Sequence, residues 1–169
     1  MKPVSILALV LIAFVWAQQS RTQGSGAKLP TVFIVVDSTG QTIGSVIGVG
    51  ETHSTTVAIP FQGSPLPVTV FRTSFLPGSL FFTSLDCTGQ PFQDESNSPF
   101  PASAVGPGNM LFAASGPSQS ITAASTLDGF GNCFQMPPFA YSDAVPMSPV
   151  IDLNKFSPPF KVVSKVRDE

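Results

Sequence analysis

The feature that most constrains this chain is how its apolar residues are grouped. Beyond the first thirty residues they never recur with the sustained helical period that an amphipathic helix needs. They come instead in short β-branched or aromatic runs broken by Gly, Pro and Asp, in a sequence holding 17 Pro and 14 Gly. Runs of that kind, bounded by turn-forming residues, read as strands. Residues 31–37, 41–49, 55–61, 68–75, 79–85, 110–114, 120–127, 133–136, 145–153 and 160–166 predict about ten short strands. Strands at this spacing make a sandwich or a barrel. The expected fold is all-β: an antiparallel β-sandwich of jelly-roll or Ig-like type, with a closed β-barrel as the alternative.

Local detail sharpens this reading. The unbroken Val32, Phe33, Ile34, Val35 and Val36 suggest a strand buried on both faces, turned back by Ser38, Thr39 and Gly40. Residues 110–114 and 120–127 read as a pair around Ser115, Gly116, Pro117 and Ser118. Pro60, Pro67, Pro146 and Pro149 interrupt runs, so their strands are expected to be edges or bent. The longest irregular segment, 88–109, carries Pro91, Pro99, Pro101 and Pro107 with the acidic pair Asp94 and Glu95. A loop of that length is a surface cover or part of a binding surface.

The N-terminus speaks to compartment. Lys2 precedes an apolar run from Val4 to Val15, and Val15 and Ala17 supply short residues at the −3 and −1 positions of a cleavage site. This is the layout of a secretory signal peptide over 1–17, and its apolar run is short for a membrane span. Residues 18–29 are polar and Gly/Ser-rich, a flexible lead-in. Residues 30–169 form a single β domain in this reading. The chain is then secreted, periplasmic or held at the cell surface, with no membrane span after cleavage.

Composition excludes some partners. The net charge is −2 and only 11% of residues are charged, against about 25% in ordinary domains. Nucleic-acid binding needs a clustered basic face. The one basic cluster, Lys161, Lys165 and Arg167, sits beside Asp168 and Glu169 and reads as a solvated terminus. A surface poor in charge is weakly protected against association. Trp16 falls in the leader, so the remainder has Tyr141 as its only amphipathic ring beside many Phe.

Cys87 and Cys133 form an even pair in an exported chain, so a disulfide is expected. It would close a loop of about 46 residues, worth roughly 4 kcal/mol in the chain-entropy model. A partial repeat surrounds it. Asp37-Ser38-Thr39-Gly40-Gln41 recurs as Asp86-Cys87-Thr88-Gly89-Gln90, and Thr83-Ser84-Leu85-Asp86 resembles Ser125-Thr126-Leu127-Asp128. An Asp that caps its own turn and a Gly at positive φ make these hairpin tips. If both tips lie at one end of the sheet, the disulfide joins them there. Asp128, Phe130 and Asn132 lack the carboxylate count of a calcium loop.

No catalytic, cofactor-binding or metal site is expected. His53, the only histidine, lies in a polar connection, and there is no Gly-x-Ser-x-Gly elbow. Asp37, Glu51, Asp86, Asp94, Glu95, Asp128, Asp143 and Asp152 supply carboxylates, but nothing in the sequence singles out a hydrolytic pair.

The Asp37-x-x-Gly40-x-x-Ile43-Gly44 hairpin, Asp86-Cys87-Thr88-Gly89, Gly131-Asn132-Cys133 and Pro158-Pro159-Phe160 together resemble small uncharacterised bacterial secreted proteins. The resemblance implies a β-rich exported domain and brings no activity or functional residues with it. The residues favour a non-enzymatic structural or interaction module that associates with itself or a partner through an edge strand or an apolar patch. A soluble ligand-binding module is the alternative, with a glycan as first candidate and Tyr141, Asp94 and Glu95 as the place to look. A carboxylate-dependent hydrolase is the third reading.

Overall fold

The computed structural model describes residues 31–95 and 99–166. The expected leader over 1–17, the lead-in over 18–29, and Arg167, Asp168 and Glu169 lie outside the described residues. Eleven strands follow in order: β1 Thr31–Val36, β2 Thr42–Val49, β3 Thr55–Phe61, β4 Ser64–Val70, β5 Ser79–Phe82, β6 Phe92–Asp94, β7 Ser103–Gly106, β8 Met110–Ala114, β9 Gln119–Asp128, β10 Cys133–Asp152 and β11 Lys161–Val166. They form two packed antiparallel sheets, ordered β11-β1-β2-β3-β4 and β6-β5-β9-β10-β8-β7. The fold is an all-β sandwich, not a closed barrel, with no α-helix among the described residues.

The first sheet follows from local sequence. β1 to β4 are a meander of short connections, and β11 returns from the end of the chain to pair with β1. Alternating Val57 and Ile59 on β3, and Leu66, Val68 and Val70 on β4, point into the space between the sheets. There they meet Leu111, Ala113 and Val105 of the second sheet, and Leu153, Phe156 and Phe160 of the segment leading to β11. Val57, Leu111 and Leu153 are wholly buried. β1 meets the expectation of two-sided burial in its second half, where Ile34, Val35 and Val36 are all buried, and departs from it in its first, where Phe33 is more than half exposed.

The second sheet is where the sequence reading needs correction. Residues 88–109 are not structureless, because β6 and β7 lie within them. Residues 110–114 and 120–127 do not pair with each other, since β10 lies between β8 and β9 and bonds to both. The expected strands at 133–136 and 145–153 are one long strand, β10. It tolerates its prolines by bending, with register shifts across Pro137 and Pro138, between Tyr141 and Ala144, and after Pro149. Each proline removes one donor from the ladder, which a bulge accommodates. β6 pairs with both β5 and β10, curling this sheet around a second core of Leu80, Phe82, Ala102, Ala104, Val145 and Met147.

Candidate functional site

Among the described residues the first half of β10 pairs with β9 alone, since β6 and β8 bond only to its residues from Ala144 onward. From Cys133 to Ala140 only Met136 is partly covered, and Phe134 and Phe139 are each more than half exposed. The two prolines between them break the ladder, so no regular alternation turns one face inward. Phe139 meets Tyr141 edge-on with ring centroids 4.8 Å apart, and Tyr141 lies 4.8 Å from Phe81 of β5. Three rings thus form a continuous cluster with Tyr141 at its centre.

Asp94 reaches this cluster from β6, which pairs with β10 through Asp94 and Ala144. The Tyr141 hydroxyl titrates above its ordinary value, first because it is partly buried and then because the Asp94 charge opposes its ionisation. Two of the three residues singled out from sequence are therefore neighbours. Glu95 has a different task. Its backbone N–H donates to the Asp143 carbonyl, and its carboxylate accepts from the Ala102 N–H at 3.3 Å, tying β6 to the approach of β7. Phe81 and Phe139 were not singled out from sequence, because Phe is as common in cores as at surfaces and only the pairing of β5, β9 and β10 brings these two to one ring.

The remaining carboxylates mostly shape turns. Asp37 caps the β1–β2 turn, Asp128 accepts from the N–H groups of Phe130 and Asn132 and from the Asn132 side chain, and Asp152 accepts from the Asn154 N–H. The Asn132 side chain and N–H hold the Asp128 carboxyl below its usual range. Asp143 accepts from Ser142 Oγ at 2.6 Å. Among the described residues no three His, Cys, Asp or Glu side chains gather as a metal site. His53 sits exposed in the β2–β3 turn with φ 58°.

The disulfide Cys87–Cys133 is formed, with 5.9 Å between Cα atoms. Its geometry corrects the picture of two tips at one end. β5 and β9 are antiparallel, and Asp128 lies opposite Ser79, at the start of β5, while Asp86 follows its end. The segment after β5 turns back instead. The Cys87 N–H donates to Ser125 Oγ at 3.1 Å, and Ser125 Oγ donates to the Ser84 carbonyl at 2.8 Å. That buried serine steers Cys87 back to the first residue of β10.

No family model matches the chain, and neither curated proteins nor solved structures yield a match.

Proposed function

We propose that this chain is an exported, non-enzymatic interaction module that associates with a second copy of itself through the exposed aromatic stretch of β10. The observation that carries this reading is the exposure of Phe134 and Phe139 on one strand segment. Apolar surface of that kind is favourable to cover. The low charge content and the net charge of −2 leave little repulsion between copies. Strand edges are poorer candidates. β4 carries Pro65 and Pro67 on its edge, and the Pro67 carbonyl accepts from Ser103 Oγ at 2.6 Å. β6 is folded onto β10. β11 pairs only with β1, yet it presents Lys161 and Lys165. A second copy paired antiparallel about Val163 would set Lys161 against the other Lys165, and like charges so placed disfavour pairing.

The disulfide fits an oxidising compartment, which supports placement in the periplasm, at the cell surface or outside the cell. Light scattering of the oxidised chain across a concentration series tests the reading. The weight-average mass should rise with concentration and should stay monomeric when Phe134 and Phe139 are both changed to Ser. A strict monomer throughout the series overturns it.

One arrangement favours glycan binding as a second reading. Tyr141, half-buried beside the exposed Phe139, stands near the Asp94 carboxylate at the exposed end of β6. A glycan hydroxyl would suit that acceptor, with its ring against the aromatic pair. Loss of glycan-array binding in Tyr141→Ala would support this reading, and unchanged binding would remove it.

A further inference from the structure

A second feature lies apart from the aromatic stretch. A cleft of about 220 Å³ opens where the β2–β3 turn, the residues after β4 and the start of β11 converge. Its floor is apolar, built by Val35, Val70 and Phe160, which are buried, with Val162 at one side. Its rim is basic: His53, Arg72 and Lys161 all line it. The described residues contain only four Lys and Arg, and two of them share this cleft with the chain's one histidine. Among the described residues no carboxylate lines the cleft.

Local structure sets the rim in place. The Phe160 N–H donates to the Arg72 carbonyl at 2.7 Å, joining the entry to β11 to the segment after β4. The Phe71 N–H donates to the Ser74 carbonyl at 2.8 Å, and the Gly50 N–H to the Ser54 carbonyl at 2.9 Å, closing the turns that carry Arg72 and His53. His53 adopts a left-handed backbone, uncommon for a residue other than glycine, within the turn that brings it to the rim. Phe75 packs on Phe160 with ring centroids 5.0 Å apart, backing the floor.

An apolar floor under a cationic rim selects a ligand with an apolar body and one negative head. A cavity of about 150 Å³ accepts benzene, so this cleft has room for a ring of that size with a small substituent. We infer that it binds a small amphiphilic carboxylate, its hydrocarbon part on Val70 and Phe160 and its carboxylate between Arg72 and Lys161. The cleft shares no residue with the aromatic stretch of β10, so this site stands or falls independently of self-association.

The probe is benzoate, titrated into the oxidised full chain and followed through the backbone amide signals of Thr55, Phe71 and Val162. Saturable shifts are expected, with benzamide, which keeps the shape and loses the charge, binding about tenfold or more weakly. Arg72→Gln and Lys161→Gln alter exposed side chains and should leave the fold intact. Each should weaken benzoate about tenfold and flatten its salt dependence. Absence of saturation at millimolar benzoate, equal binding of benzamide, or unchanged affinity in the Arg72→Gln/Lys161→Gln double variant would each overturn the proposal.

Discussion

The turns at 37–41 and 86–90 share four of five residues, and they show how one local motif takes two structural roles. Both put Gly at φ 88°, and in both the Thr hydroxyl donates to Oδ1 of the Asp two residues earlier at 2.7 Å. There the likeness ends. Asp37 is buried, and besides the N–H groups of Thr39 and Gln41 it accepts the Ser157 N–H from 120 residues away. The Ser157 carbonyl in turn accepts from the Ser38 N–H at 2.8 Å. Asp86 is exposed, and its turn is anchored through the next residue, Cys87, by the disulfide to Cys133. One turn is fixed by a buried carboxylate and the other by a covalent bond. The motif sets the Asp–Thr bond and the glycine conformation, and the second position differs in backbone, with Cys87 at φ 55°, as well as in what holds it.

The largest effect should come from the covalent anchor. Changing Cys87 and Cys133 to Ser should lower unfolding stability by about 4 kcal/mol, from the loop it closes. Denaturant titration reads this, and hydrogen exchange should rise around 86–90 while the 37–41 turn keeps its protection. An equal rise in both turns would break the distinction.

Next come the two aspartates. Asp37→Ala strips the partner from three N–H donors and one hydroxyl and should lower the melting temperature by several degrees, whereas Asp86→Ala should barely move it. Acid unfolding sharpens the contrast. The Ser157 N–H, aided by Thr39 and Gln41 and opposed by burial, lowers the Asp37 pKa from 3.8 to about 2. A carboxylate lowered in this way stabilises the fold fully above its unfolded value. Its contribution is lost as the pH falls from about 4 through 2. That part of the acid limb should flatten in Asp37→Asn.

The smallest effects should be the most alike. Gly40→Ala and Gly89→Ala both force a side chain into the same left-handed backbone with open space around it, so each should cost about 1–2 kcal/mol. Matching denaturant data would show that the two glycine positions carry the same local strain although the turns differ at the residue before the Thr, where Cys87 alone takes a positive φ of 55°.

Legibility in sequence follows the same divide. The β1–β2 turn, the β3 span and the disulfide were readable because Gly, Asp, alternating Val and Ile, and paired Cys act within a few residues or by elimination. Tyr141 and Asp94 were readable as chemically distinctive side chains in a chain poor in both aromatic hydroxyls and charge. Their proximity was not, because it depends on β6 closing onto β10. The basic cleft was hidden for the same reason: Lys161 read as part of a solvated terminus, and His53 and Arg72 are distant from it along the chain.

The amino-acid sequence by itself determined that this chain is built of short strands, where the first meander turns, and which two sulfurs join, since these rest on local backbone preference and on a two-cysteine count. Tertiary structure alone decided that β10 runs through its prolines, that β6 and β7 arise inside 88–109, and that β10 parts β8 from β9. Those outcomes turn on which distant strands supply each other's hydrogen bonds and bury each other's apolar faces. That competition among long-range pairings leaves no periodic trace in the residues that take part.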